Sequence, residues 1–315
     1  MEIVFGIENF QPQAKPVYVG LGNFDGVHLG HKSLIESLVN RAHERGGVAA
    51  AFIFDPHPSR ILTPDHTPGL LVTAERKAEL LEGLGLDILI YTSFTPELAR
   101  WNPRQFVEEI LVNKLHICEV FVGFNHSFGH RGQGTPEMLS KFGKEYGFGV
   151  HIVPPYTIDG EVVSSSLIRK CIESGDIAYA RTLLGHYPTL EGTVIEGEHR
   201  GTNTMGFPRT ANLGVNQELT IPGKGVYAAR AIVNGVTYTS VVNIGNKPTF
   251  HDQYPISIEA HILGFDNDIY GCYLRLVLLD KIRNEQKFPG IDELVQQIKQ
   301  DALKAVQIAE HIEQL

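Results

Sequence analysis

The stretch Gly20-Leu-Gly-Asn-Phe-Asp-Gly-Val-His-Leu-Gly-His31 follows the apolar run Val17-Tyr18-Val19 and precedes an amphipathic segment, residues 33–45. In that segment Leu34, Ile35, Leu38, Val39 and Ala42 share one helical face, so the local reading is strand, glycine-rich loop, helix. The four glycines allow close approach of backbone to a ligand, and the helix start offers free amides and a positive dipole end. A phosphate suits such a turn. His28 and His31, three positions apart, can reach one anion together as hydrogen-bond donors.

Outward from this turn the chain alternates strand and helix. Residues 48–54, 88–91, 119–123 and 150–153 read as buried strands, with helical patterns over 74–84, 103–112 and 135–146. Thr135 is placed to cap the last of these, with Pro136 at its first position. The alternation implies a doubly wound, Rossmann-like parallel sheet covered on both faces, whose ligands bind beyond the carboxyl ends of the strands. Four stretches follow strands in that way: the opening loop, residues 55–58, residues 125–134, and Ser164-Ser165-Ser166. A helix then runs from Ser166 to a stop at Gly175, and Asp176 caps another that reaches Leu184.

From Tyr187 the rhythm changes to short β-rich runs, at 190–196, 226–233, 236–243, 256–263 and 273–279, with Asn234-Gly235 as a hairpin signal. A helix over 291–312 closes the chain, its inner side carrying Leu294, Ile298, Ala302, Ala305 and Ala309. Two domains are expected, 1–185 and 186–315, the first α/β and the second antiparallel β. The 315 residues carry a net charge of −9. That balance argues against nucleic acid as the main partner, so a bound phosphate is expected to be small. Cys118, Cys171 and Cys272 are widely spaced and odd in number, as for reduced thiols in a cytoplasm. No run of eighteen apolar residues supports a membrane span.

The loop fails two phosphate motifs. Glycines 20, 22 and 26 are spaced one residue too long for the dinucleotide fingerprint, and residues 26–33 lack the P-loop spacing and its Gly-Lys pair. A metal held by His28 and His31 needs a further ligand, and sequence fixes neither His57 nor His126 in that role. The two histidines could also be ordinary surface residues at a helix start. A more specific reading is nucleotidyl transfer. A phosphate attacking the α-phosphorus of ATP builds negative charge that imidazoles and helix amides stabilise, with the substrate itself as nucleophile. Ser164, Ser165 and Ser166 followed by Arg169 suit the outer phosphates of ATP, and Asn125 suits a ribose or base edge. Serine caps and polar loop residues have commonplace structural readings as well.

The ordered set Gly22-Asn-Phe-Asp-Gly-Val-His-Leu-Gly-His31, Phe54-Asp-Pro-His-Pro58, Val122-Gly-Phe-Asn-His-Ser-Phe-Gly129 and Ser164-Ser-Ser-Leu-Ile-Arg169 resembles the bacterial bifunctional riboflavin kinase/FAD synthetases. Gly225-Val-Tyr227, Asn243-Ile-Gly-Asn-Lys-Pro-Thr-Phe250, Ile258-Glu-Ala-His-Ile-Leu263 and Ile282-Arg-Asn-Glu-Gln-Lys-Phe288 extend the resemblance nearly end to end. It implies that the first domain adenylates FMN to FAD with ATP and magnesium, the metal being carried by the ATP phosphates rather than by dedicated ligands. His28 and His31 would stabilise the transferring phosphate. Gly22, Phe24, Asp25, Gly26, Gly30, Asn125, Ser164, Ser165, Ser166 and Arg169 would hold ATP. The flavin would lie near Phe54, Pro56, His57, Pro58 and Phe128. His126 departs from the family, which generally has an apolar aromatic there.

For the second domain the resemblance implies a six-stranded barrel that phosphorylates riboflavin, with Glu259 as base and Thr210 and Asn212 helping to hold magnesium and ATP. Its loop is altered: Gly201-Thr-Asn-Thr-Met-Gly-Phe-Pro-Arg-Thr-Ala-Asn212 places Arg209 between Pro208 and Thr210, with one more extra residue before Gly206. An inserted residue displaces extended chain by about 3.3 Å and reverses side-chain facing, which magnesium tolerates poorly. The expectation is FAD synthesis with an impaired kinase. The alternatives are a fully bifunctional enzyme, an adenylyltransferase for another phosphate substrate, and a non-catalytic flavin-binding regulatory module.

Overall fold

The computed structural model of the protein describes residues 1–196, 210–246 and 256–313, in two compact units. The first comprises residues 1–68 and 74–164. In chain order it holds β1 (Glu2–Phe5), β2 (Val17–Leu21), α1 (Leu29–Glu44), β3 (Val48–Phe54), α2 (Pro58–Leu62), α3 (Ala74–Gly83) and β4 (Ile88–Thr92). There follow α4 (Pro103–Phe106), which continues as a π-helix over Val107–Val112, then β5 (Ile117–Gly123), α5 (Pro136–Tyr146), β6 (Gly149–Val153) and a small hairpin of β7 (Thr157–Ile158) and β8 (Glu161–Val162).

Six of these strands form one parallel sheet in the order β1-β4-β3-β2-β5-β6. Alternation along each strand divides the core in two. Val17, Val19 and Leu21 pack with Ala50, Phe52, Val120 and the α4 and α5 side, whereas Tyr18, Ala49, Ala51 and Phe121 pack with Leu34, Ile35 and Leu38 of α1. Gly20, inside β2, meets that second side: a Cβ there would lie 3.1 Å from Leu38 Cδ2. Its role is helix-on-sheet packing, a correction to its reading as a ligand-facing glycine. The chain leaves β2 toward β3 and β4 on one side and returns to β5 on the other. The strand order therefore reverses between β2 and β5, where open α/β sheets bind ligands.

The second unit comprises residues 69–73 and the described chain from Ser165 onward. It holds α6 (Ser165–Ser174), α7 (Ile177–Leu184), β9 (Thr189–Ile195), β10 (Ala211–Val215), β11 (Gly225–Val233), β12 (Val236–Asn246), β13 (Ile256–Ile262), β14 (Tyr273–Arg283) and α8 (Ile291–Glu313). The strands close an antiparallel barrel in the order β10-β13-β12-β11-β14-β9. Inward residues such as Leu190, Leu213, Tyr227, Ala260 and Leu276 fill it. Ala305 and Ala309 of α8 cover Val226, Ala228 and Leu279 outside. Asn234 and Gly235, with φ of 49° and 79°, turn β11 into β12 as the hairpin signal requires.

The units divide at Ser164/Ser165 rather than near 185. Residues 165–184 pack on the barrel because Ile177 enters its core and the Gly223 amide bonds to the Ile172 carbonyl at 3.1 Å. The strand β10 had no β-rich run to announce it. Among the described residues no helix is long and apolar enough to cross a membrane.

Candidate active sites

In the first unit the loop after β2 carries the unusual geometry. Phe24 (φ 47°), Gly26 (φ 80°) and Val27 (φ 41°) all take positive φ. That region is uncommon for any side chain and a genuine outlier for a β-branched one. Helix α1 begins at Leu29, earlier than the periodicity indicated, and His28 is its N-cap. His28 Nδ1 accepts the His31 amide at 3.3 Å. Since that nitrogen accepts, the proton of the neutral ring sits on Nε2, which is then a donor. The rings of His28 and His31 stack with centroids 3.6 Å apart and planes 17° from parallel. Gly30 lets this happen: a Cβ there would lie 3.2 Å from the His28 ring. Burial, then His28, then Lys77 hold the His31 imidazole well below its usual range, so it is neutral at pH 7.

Not every residue assigned to ATP meets open space. Phe24 is 1% exposed and presents its ring to the edge of His31, at 5.4 Å and 82°. Asp25 is 4% exposed and acts electrostatically on the ammonium of Lys77. Their side chains shape the loop from beneath, so an ATP contact at these positions would run through the backbone. Lys77 was missing from the sequence-derived set. It is 8% exposed and donates from Nζ to the Asn23 carbonyl at 2.9 Å. The available signal was its position on the face of α3 that also carries Leu81, fully buried.

Across the strand reversal, Asn125 is exposed at the carboxyl end of β5. His126 beside it is largely buried, and its Nε2 has no hydrogen-bond partner among the described residues. Burial pushes its pKa down to about 4. Of the residues assigned to flavin, Phe54 is half-buried in an aromatic group with Phe52, Phe94 and Phe106, ring centroids 5.1, 5.1 and 6.4 Å away. Phe128 is 7% exposed with its ring 5.7 Å from Phe106, so it backs this group rather than lining an open surface. Pro56 is exposed and Pro58 begins α2, which His57 caps by accepting the Ser59 amide at 3.2 Å. Ser164 ends the first unit, whereas Ser165, Ser166 and Arg169 lie on α6 of the second. There the Arg169 guanidinium Nε donates to the Gly69 carbonyl at 2.5 Å.

On the barrel, Glu259 of β13 is paired across the ladder with Asn212 of β10 on one side and Asn243 of β12 on the other. Directly paired residues share a face. Their neighbours Leu213, Ile258, Ala260, Val242 and Ile244 point inward, so Asn212, Glu259 and Asn243 form a row on the outer face. Glu285 adjoins this row, since a Cβ on Gly245 would fall 2.1 Å from its Oε1 and 3.7 Å from Asn243 Nδ2. The altered loop, Arg209 included, lies outside the described residues, and Thr210 is exposed at its end.

A parallel sheet with a strained, histidine-capped loop at its strand reversal, joined to a closed antiparallel barrel bearing a carboxylate among amides, is the frame of a two-module enzyme of phosphate-group transfer. The family model for FAD synthetase matches residues 10–167, and that for riboflavin kinase residues 184–309. The chain is 39% identical over 303 residues to the bifunctional riboflavin kinase/FMN adenylyltransferase of Bacillus subtilis (strain 168), covering 94% of this chain and 93% of the relative. Identity to the protein of that name from Escherichia coli (strain K12) is 33% over 307 residues, 97% of each. A crystal structure described as a macrolide-efflux protein from Streptococcus pneumoniae superposes with a TM-score of 0.86 at 27% identity, covering 96% of this chain and 97% of that one. The chain belongs to the bifunctional riboflavin kinase/FMN adenylyltransferase family.

Proposed function

We propose that the first unit transfers AMP from ATP to the phosphate of FMN, giving FAD and pyrophosphate. The observation that carries this reading is the stacked His28/His31 pair at the start of α1, on a strained loop at the strand reversal. An FMN phosphate oxygen attacks the α-phosphorus of ATP in line, and the bond to the β-phosphate oxygen breaks. His28 Nε2–H, the His31 imidazole and the amides of the first turn of α1 meet the charge that develops on the transferring phosphoryl oxygens. Among the described residues no group of three His, Cys, Asp or Glu side chains could hold a metal. Magnesium is read as part of the substrate, carried on the ATP phosphates. The charge of −9 supports small phosphate compounds over nucleic acid as partners, and three free cysteines support a cytoplasmic setting.

For the barrel the proposal is phosphorylation of riboflavin. Glu259 takes the proton of the ribityl hydroxyl as its oxygen attacks the γ-phosphorus of ATP, the bond to the bridging oxygen breaks, and ADP leaves with FMN formed. The pairing of Asn212 and Asn243 with Glu259 supports this reading, because oxygen donors beside the base suit a magnesium-bound nucleotide. Arg209 favours a second reading, an impaired kinase. One experiment separates them: supply riboflavin, ATP and magnesium, and time the appearance of FMN against FAD formation from FMN in the same sample. Comparable rates support the working kinase; FAD formation without FMN formation supports the impaired one.

A further inference from the structure

We infer that Lys77 is a positioning residue for the adenylyl-transfer loop: its ammonium holds the Asn23 carbonyl and so keeps the turn 24–27, and the two histidines after it, in one conformation. The catalytic consequence rests on the adenylation reading above; the structural consequence does not.

A lysine 8% exposed has lost most of its hydration, and such a charge persists only where partners replace the water. Here the partners converge on the loop. Nζ donates to the Asn23 carbonyl at 2.9 Å, and the carboxylates of Asp25 and Asp55 raise its proton affinity against the burial that lowers it. Asp25 sits in the loop itself and Asp55 follows β3, so one ammonium couples α3 to two segments at the carboxyl ends of the sheet.

The loop needs such a tie. Positive φ at Phe24 and Val27 is strained backbone, and strain of this kind survives only when surrounding contacts over-determine it. The buried Phe24 ring supplies an apolar anchor on one side of the turn, and the Val27 amide closes it by donating to the Phe24 carbonyl at 3.0 Å. Lys77 supplies the polar anchor one residue earlier, at Asn23. Its charge also reaches His31, where it acts in the same direction as His28 and burial.

The test uses the full chain and the variants Lys77→Met, which removes charge and donor, and Lys77→Gln, which keeps a neutral N–H donor. Hydrogen exchange of the loop amides, residues 23–31, is expected to quicken about tenfold or more in Lys77→Met while β3 and β4 keep their protection, with part of the loop protection restored in Lys77→Gln. Imidazole NMR is expected to place the His31 titration higher in Lys77→Met, where burial and His28 alone remain to lower it. The kcat for FAD formation should fall about tenfold or more with the KM for FMN within about twofold, as for a misplaced catalytic group. Wild-type loop exchange and an unmoved His31 in Lys77→Met overturn the inference whether or not FAD is formed. If Lys77→Met does not fold, Lys77→Gln decides: its loop must exchange between the wild-type rate and the unprotected rate with His31 moved up, and wild-type behaviour overturns the inference. If wild type itself makes no FAD, a loosened loop in Lys77→Met would instead remove the adenylation reading and leave Lys77 its structural role.

Discussion

His28 does two things with one ring. Nδ1 caps α1, and the proton thereby placed on Nε2 is the donor proposed for the transferring phosphoryl group. Replacing either His28 or His31 by Ala is expected to lower FAD formation by about 10²–10³, the usual cost of losing one donor to a developing oxyanion, with FMN binding measured by fluorescence little changed. Histidine is an uncommon N-cap, so neither this cap nor the true start of the helix was legible in the periodicity. His126 carries a pH consequence. Its folded-state pKa is held at about 4, below the ordinary value of 6.5, by burial. Stability is therefore complete above about pH 6.5 and is lost as pH falls toward 4, because the unfolded chain takes up the proton first. At pH 5 the loss amounts to about 2 kcal/mol, and urea unfolding of His126→Phe compared at pH 7.5 and pH 5 should show that much less acid sensitivity. If the pH dependence is unchanged by the substitution, His126 is not the neutral buried group described. Lys77 escaped the sequence reading because a lysine in a helix is normally taken as solvated, and only the pattern of its apolar face marked it.

Elements with strong local signals were legible. Thr135 accepts the Met138 amide at 3.3 Å and Asp176 the Tyr179 amide at 3.0 Å, as their sequence contexts required. The central strands β2, β3 and β4 are mainly apolar runs buried on both faces, which leaves little ambiguity. By contrast β10, Ala-Asn-Leu-Gly-Val, has a polar residue and a glycine where propensity would look for branched side chains. It is a strand because the barrel needs a partner for β9 and β13, a tertiary demand that no local pattern carries. The same holds for α6 and α7, whose packing on the barrel comes from contacts such as Gly223 to Ile172 across fifty residues of chain. The closing helix α8 adds a buried ion pair to its apolar packing on the barrel. Asp301 is 1% exposed and receives Arg283 of β14 through Nε at 3.0 Å and Nη2 at 2.8 Å. Asp301→Ala leaves that guanidinium short of its partner and should destabilise the barrel by about 3 kcal/mol in urea, with FAD formation at 25 °C intact. A loss under 1 kcal/mol would mean that the pair is compensated by solvent.

At the scale of the molecule, two phosphate-transfer chemistries are assigned to separate units, so they should be separable by substitution. Glu259→Gln is expected to abolish FMN formation from riboflavin and to leave adenylation of added FMN intact, whereas His31→Ala should do the reverse. The division into an α/β unit and a barrel was readable from the change in rhythm near Tyr187, but the packing boundary at Ser164/Ser165 was not. The register of Asn212 opposite Glu259 was likewise hidden, because the altered loop before it pointed to displacement of this residue. The most direct measurement supplies purified protein with FMN, magnesium and ATP labelled on the α-phosphate, and follows the label by chromatography in wild type and His31→Ala. The account predicts that wild type moves the label into FAD with one pyrophosphate released per FAD, and that His31→Ala nearly loses this transfer. Label remaining in ATP, or transfer unaffected by His31→Ala, would contradict it.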